Sequence, residues 1–330
     1  MPLLSVIIVN YNAGDRLARA VEALRAQTMR DFEVLILDNA STDGSLDLVK
    51  AEGLDLRILP QAENLGFAAG NNIAVKEATG QWLAFLNPDA YAEPNWLEEI
   101  TSAIARYPGV EAFGSTQLDA EDPSLIDGAG DCYSIFGIYY RALHGMSADR
   151  LPEDAEVFAP CAAAAIYSRA RFEALGGFDE RFFCYGEDVD LGFRHRLAGG
   201  RCVQLRQAVV HHEGSGITGK VSEFTVYHGH RNRIWVAYKN LPPALYRATT
   251  PLRMAVDRAL ARRFAKLGLK GAYSRALKDG YGRLSEFTDD RERLRQERKV
   301  SVSELLRLVV VSPAAVHRHE GKFMSPPEKA

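Results

Sequence analysis

Trp82-Leu83-Ala84-Phe85-Leu86-Asn87-Pro88-Asp89 is a short apolar run that stops at two oxygen-bearing side chains around a proline. An unbroken apolar run of this length suits a strand buried on both faces, and Pro88 has no backbone N–H to extend a ladder. Asp89 is thereby held at the rim of a sheet, where open α/β folds bind their ligands. A carboxylate there suits a hard divalent cation carrying substrate phosphates. Taken alone, the stretch is more simply a strand followed by an Asn-Pro turn. Its neighbours decide.

Upstream, Leu4 to Asn10 is a continuous β-branched run, as expected of a central parallel strand. Tyr11 to Asp15 turns the chain, and Leu17, Val21 and Leu24 follow at helical spacing. Phe32 to Leu37 reads as a second strand, followed by Asp38-Asn39-Ala40-Ser41-Thr42-Asp43-Gly44. Leu46, Leu48 and Val49 open a further helix, Leu56 to Leu59 form a third strand, and Gly66 to Ala78 are helical. Strand and helix alternating about every 25–30 residues specify βαβ units and a mostly parallel sheet flanked by helices. Neither Gly-x-Gly-x-x-Gly nor a Gly-Lys-Ser/Thr phosphate loop follows the first strand, which counts against a dinucleotide oxidoreductase and a P-loop ATPase.

Three polar clusters end successive strands: Asn10-Tyr11-Asn12, Asp38-Asn39 and Asn87-Pro88-Asp89. In a parallel sheet those ends share one edge and converge on one crevice. Asp38 suits a base or ribose and Asp89 a metal. A helix N-cap is the other use of Asp38, although Ser41 and Thr42 are at hand for capping.

With 330 residues, 47% hydrophobic and 25% charged, the chain has the composition of an ordinary soluble globular protein of one large domain plus an appendage. No apolar run reaches the ~18–20 residues that span a bilayer, and no basic region precedes the strand-sized run Leu3 to Val9. Cys132, Cys161, Cys184 and Cys202 show no close pairing, which favours a reducing cytoplasm over a disulfide scaffold and disfavours zinc. The net charge of −3 divides unevenly: residues 1–240 carry −12 and residues 241–330 carry +9. An acidic, metal-using body with a basic tail that meets an anionic surface fits that division, as does a tail that is merely solvated.

Residues 116–157 are rich in Gly, Asp and aromatics, with Ser134 to Tyr140 expected in a hairpin; so long an irregular segment is expected to shape an acceptor pocket. Phe158 to Tyr167 suits a buried strand. In Gly186-Glu187-Asp188-Val189-Asp190, the residues Val189, Phe193 and Leu197 mark the inward face of a helix whose first turn holds Glu187 and Asp188, where the dipole favours carboxylates. An acid there is placed to take a proton from an acceptor hydroxyl. Val209 to Gly216 is a strand leading into His211, His212 and a Gly/Ser loop, either metal or diphosphate contacts or a surface pair.

Together these clusters resemble glycosyltransferase family 2, inverting enzymes of the GT-A fold, and more narrowly its rhamnosyltransferase-like branch. Five stretches in order carry the match, over about residues 1–240: Ser5 to Asn12, Asp38 to Ser45, Asn64-Leu65-Gly66-Phe67-Ala68-Ala69-Gly70-Asn71-Asn72, Leu86 to Asp89, and Gly177-Phe178-Asp179-Glu180 through Glu187-Asp188-Val189-Asp190. The resemblance implies a nucleotide-diphospho-sugar donor and a Mg or Mn cation. It assigns metal contacts to Asp89 and to His211 or His212. It makes Asp188 the base, with Glu187 in reserve. Donor contacts fall to Asn10, Asn12, Asp38, Asn64, Gly70, Asn71 and Asn87. Residues 1–115 become the nucleotide-sugar half and 116–240 the acceptor half of a catalytic domain, with 241–330 a basic helical extension. Two departures stand out: Asn87 replaces the first aspartate of the Asp-x-Asp metal motif, and Pro160-Cys161-Ala162-Ala163-Ala164 stands where relatives tend to have a glycine.

In the extension, Leu252, Val256, Leu260, Phe264 and Leu267 form one helical stripe flanked by basic residues including Arg253, Arg258, Arg262 and Lys266. The 251–283 region thus suits peripheral contact with the inner face of a membrane, and packing on the body accounts for the stripe as well. The residues from about Lys322 are expected to be disordered. The function implied is transfer of rhamnose from dTDP-rhamnose to a glycan or polyprenyl-diphosphate-linked hydroxyl, with no nucleic-acid partner and the oligomeric state open. The alternatives are nucleotidyl transfer to a sugar phosphate and a non-catalytic nucleotide-sugar binder.

Overall fold

The computed structural model describes residues 2–214 and 221–328; Ser215 and Gly216 of the expected Gly/Ser loop lie outside them. β1 (Leu4–Asn10) and β2 (Phe32–Asp38) are buried along their whole length and pair in parallel, with Asn10 opposite Asp38. α1 (Asp15–Arg25) connects them, pressing Leu17, Ala20, Val21 and Leu24 onto the sheet. β3 (Leu56–Pro60) extends this parallel edge. Between β2 and β3 the expected helix is only a short 3₁₀ turn, Ser45–Leu48, with Leu48 exposed. The loop around it is spent on hydrogen bonds that bind the strand ends together.

α2 (Gly66–Glu77) leads into β4 (Trp82–Leu86), which pairs in parallel with β1 on one side. The sequence then closes a turn in which the Ala90 N–H donates to the Asn87 carbonyl at 3.1 Å. β5 (Ala90–Ala92), α3 (Trp96–Arg106) and β6 (Ala112–Asp119) follow. The 116–157 segment holds β7 (Ile126–Gly128), the hairpin of β8 (Asp131–Tyr133) and β9 (Tyr139–Arg141), and β10 (Ala155–Glu156). Ser134 to Ile138 are the bend of that hairpin, not its strand.

β11 (Ala164–Ser168) lies antiparallel between β4 and β6. After α4 (Arg169–Ala174) and α5 (Glu187–Leu197), β12 (Cys202–His212) runs parallel to β6. The sheet order is β10-β12-β6-β11-β4-β1-β2-β3. Three residues, Arg206 to Ala208, bulge out of β12 where Leu205 opposes Ser115 and Val209 already opposes Thr116.

The rest is helical: α6 (Glu223–Asn240), α7 (Pro243–Lys266), α8 (Lys270–Gly282), α9 (Thr288–Glu297), α10 (Val302–Leu308) and α11 (Pro313–His317). Residues on both sides of 240 share one core, in which Tyr133, Phe158 and Phe193 meet Trp235, Phe287, Leu294 and Val309. α6 is fixed to α5 by a buried ionic knot: Lys239 Nζ lies 2.9 Å and Arg194 Nε 2.8 Å from the two-coordinate Asp190 Oδ2. Two cations on one carboxylate, with Asp179 balancing Lys239 at 2.6 Å, keep those charges paired out of water.

The extension departs from expectation in two places. On α7 the expected stripe packs through buried Phe264 and half-buried Leu260, but Arg253 and Asp257 are inward as well, while Leu252 and Leu267 are exposed. Polar partners choose that face: Asp257 pairs with Arg233 and accepts from Tyr281 Oη, and Arg253 donates to Thr250 and the Tyr246 carbonyl. The segment from Lys322 is also held in place. Met324 and Glu156 exchange backbone hydrogen bonds at 2.9 and 3.0 Å, and Lys322 Nζ caps the Val309 carbonyl.

Candidate active site

The crevice predicted at the strand ends is a cavity of about 450 Å³. Its lining takes Asn64, Asn87, Asp89, Glu187, Asp188 and His212 from the residues singled out in the sequence. Asn10, Asn12, Asp38, Gly70, Asn71 and His211 do not line it, each for a visible reason. Asn10 Nδ2 donates to Asp38 Oδ1 at 2.8 Å, the Ser41 N–H donates to Asp38 Oδ2, and the Thr42 N–H donates to Asn12 Oδ1. These three side chains build the loop after β2. Gly70 lets α2 lie close on the sheet, since a Cβ there would sit 3.0 Å from Leu37 and Val9. Asn71 donates back to the Phe67 carbonyl. Asn39, next to Asp38, lines the cavity instead and ties to Gly66.

The metal contacts proposed for the adjacent histidines separate by strand alternation. His211 lies on the other side of β12, its Nε2 3.1 Å from Glu93 Oε1, and so leaves the site. His212 faces in, with Nε2 3.3 Å from Asp89 Oδ1 and Nδ1 2.7 Å from Asp127 Oδ2. Burial alone would discharge His212, but its hydrogen bonds to Asp127 and Asp89 outweigh that and raise its pKa to about 9. The Asn87 amide lies 3.4 Å from the same Nε2. A divalent cation at Asp89 would displace the proton that His212 Nε2 shares with that carboxylate. The cavity-facing carboxylate and the imidazole, which a second carboxylate orients from behind, are then a donor set that fits such an ion.

Across α5, Gly186 at φ +85° turns the chain into the helix, and a Cβ there would fall 2.5 Å from Tyr139 Oη. Glu187 is buried, and its Oε2 has no partner among the described residues. Burial first, then the Asp188 charge, push its pKa well above the usual carboxylate range, which favours the neutral acid. Asp188 keeps an opening to the cavity and accepts from the Ala162 N–H at 3.2 Å and the Val189 N–H at 2.8 Å. Burial raises its pKa too, against those two donors. Of the acidic pair, Asp188 is the one able to act as an ionised base.

The two walls are joined at Gly66 and Phe183. The Phe183 carbonyl accepts from the N–H groups of Phe67 at 2.7 Å and Ala68 at 3.2 Å, serving the bare N-terminus of α2. Gly66 has φ +83°, and a Cβ would lie 2.5 Å from the Phe183 ring. Gly66→Ala is expected to cost roughly 1–3 kcal/mol in chemical denaturation; unchanged stability would show that the 183–186 loop yields freely.

Residues missed in the sequence come from the 116–157 segment. Asp127 orients His212, Arg141 pairs with Asp127 and lines the cavity, and Asp131 lies beside Asp188. Asp127 on β7, and Asp131 and Arg141 on the two strands of the hairpin, charged residues in a stretch destined for burial, were the available signal.

A crevice at the carboxyl ends of a mixed sheet, with a donor set that fits a cation on one wall and Asp188 on the other, suits a group-transferring enzyme. The sequence model described as Glycosyl transferase family 2 matches residues 5–173, and the chain belongs to that family. It is 30% identical over 242 residues to the N-acetylglucosaminyl-diphospho-decaprenol L-rhamnosyltransferase of Mycobacterium tuberculosis, covering 66% of this chain and 78% of that one. It is 34% identical over 232 residues to the O-antigen biosynthesis protein RfbC of Myxococcus xanthus, covering 65% of this chain and 18% of RfbC. Similar folds are the mannosyltransferase PcManGT of Pyrobaculum calidifontis in complex with GDP-Man and Mn2+ (TM-score 0.54, 20% identity, 90% and 86% of the two chains). S. aureus TarS 1-349 in complex with UDP-GlcNAc is another (TM-score 0.56, 19% identity, 97% and 93%).

Proposed function

We propose that this glycosyltransferase moves a sugar, rhamnose from dTDP-rhamnose in the leading reading, with inversion onto a hydroxyl of a polyprenyl-diphosphate-linked glycan in cell-surface polysaccharide synthesis. The observation that carries it is one cavity holding both the Asp89–His212–Asp127 set and the partly open Asp188. The relative from M. tuberculosis supports the sugar and the lipid-linked acceptor. Asp89 and His212 would hold a Mg or Mn ion, with Asp127 fixing the imidazole and the Asn87 amide standing in place of a second carboxylate. Such an ion would supply positive charge to a diphosphate leaving group. Asp188 takes the acceptor proton. Asn64 and Asn39 are placed along the donor wall, while the loop after β2, built by Asn10, Asn12 and Asp38, shapes its far end.

Residues 1–240 are read as the catalytic part and 241–330 as its helical extension. No helix among the described residues is long and apolar enough to cross a membrane. Exposed Leu252, Met254 and Leu267, and exposed Arg258, Arg262 and Lys266 in the same stretch, are the basis for reading peripheral attachment to anionic lipid.

A calorimetric panel of dTDP-rhamnose, UDP-GlcNAc and GDP-mannose, each with and without Mn2+ or Mg2+, tests donor and cation together. Tightest, cation-dependent binding of dTDP-rhamnose is expected, and preference for another donor replaces the assigned sugar. Flotation with phosphatidylglycerol vesicles tests the attachment. Recovery of the protein wholly in the lipid-free fraction rejects it.

A further inference from the structure

β8 places Asp131 directly beside the proposed base. Ligand-type atoms of Asp131, Cys161 and Asp188 all lie within 4.8 Å of one another. The two carboxyl groups have unequal surroundings. Asp188 receives two backbone N–H groups and is partly open to the cavity. Asp131 is 4% exposed, and its Oδ2 has no hydrogen-bond partner among the described residues.

The groups facing this pair are Glu187 on α5, Cys184 ahead of it, Cys161, Tyr139 and Arg141 on β9, Tyr167 on β11 and Cys202 on β12. Arg141 is the one cation in that set, and its guanidinium is already paired with Asp127. One shared positive charge does not support Asp131, Glu187 and Asp188 all ionised in a buried cleft. A cation in place of a proton would face two N–H groups already directed at Asp188.

We propose that Asp131 is a positioning residue for the base: it keeps its proton, donates it in a hydrogen bond to Asp188, and so holds Asp188 ionised and aimed into the cavity. Burial first, then the Asp188 charge, favour the neutral acid at Asp131. Paired acids in unlike environments divide the roles of donor and base in this way. During transfer the acceptor oxygen bonds to the anomeric carbon, and the bond from that carbon to the diphosphate oxygen breaks with its electron pair. The acceptor proton passes to Asp188, and Asp131 retains its own. The proposal rests on Asp188 being the base.

The test uses the full chain. Infrared difference spectra at neutral pH are expected to show a protonated-carboxyl band component that is lost in Asp131→Asn and persists in Asp188→Asn. In turnover, Asp131→Ala is expected to lower kcat about tenfold or more, the worth of a hydrogen bond to a charged group. Asp131→Asn keeps a donor and is expected to recover most of that loss, with the acid limb of the kcat profile within about half a pH unit of the parent. The proposal is overturned if the band component is absent, or if Asp131→Asn moves the acid limb down by about a unit or more, as removal of a charge beside the base would. Full turnover by Asp188→Asn overturns the base assignment instead, so the two failures are distinguishable.

Discussion

Asp188→Asn is expected to lower kcat by roughly 10²–10⁴-fold while leaving donor binding close to that of the parent. The amide keeps the shape and the contact with the Val189 N–H but has no lone pair basic enough to accept the acceptor proton. In the parent, burial raises the Asp188 pKa against its N–H donors and Arg141. Activity is therefore complete above that raised pKa and is lost as pH falls through it, at a pH above the usual aspartate range. The acid limb is expected to vanish from the residual activity of the variant. Glu187→Gln is expected to cost far less, because burial and the Asp188 charge favour the neutral form of Glu187, whose shape the amide keeps. Parent-like turnover by Asp188→Asn together with collapse of Glu187→Gln would exchange the two assignments.

Asp89→Ala is the second large effect, with kcat/KM expected to fall about 10²–10³-fold or more. The substitution removes both the carboxylate of the proposed cation site and the inner partner of His212. The measurement is activity against Mn2+ and Mg2+ concentration, alongside calorimetric binding of the donor. The cation response and the cation-dependent part of donor affinity should disappear together. His212→Ala is expected to act in the same direction, whereas His211→Ala, whose side chain pairs with Glu93 outside the cavity, should change turnover little. A D89A protein with the parent's cation response would remove Asp89 from the site.

The reach of the sequence follows the range of the interactions. β1, β2 and β4 are dictated by local runs of apolar residues, so their existence and order are legible without a structure. Asp89 and Asp188 are legible because each sits at the end of a strongly patterned element. Asn10, Asn12 and Asp38 carry the right chemistry at the right edge, yet they bond to the loop around them, and composition does not distinguish a loop-builder from a ligand. Asp127, Asp131 and Arg141 reach the site through pairings between β6, β7, β8 and β9 that no short-range period encodes. On α7 the apolar spacing found the packed residues Leu260 and Phe264 but not Arg253 and Asp257, which are drawn inward by the Arg233–Asp257 pair and the Arg253 hydrogen bonds.

The bulge at Arg206 to Ala208 makes the site tolerant of one kind of mutation and sensitive to another. Pairing of Val209–His212 with Thr116–Asp119, and of Val210–His212 with β5, fixes which histidine looks inward, independently of how many residues precede it in β12. An extra or missing residue at Gln207 is taken up by the slack already there. The same change between Val209 and His211 has no slack to absorb it and would turn the alternation over: an insertion delivers His211 to the slot facing Asp89, and a deletion sends His212 to the slot facing Glu93. The three bulged residues can therefore change in number without readdressing the imidazole on which the proposed cation site depends.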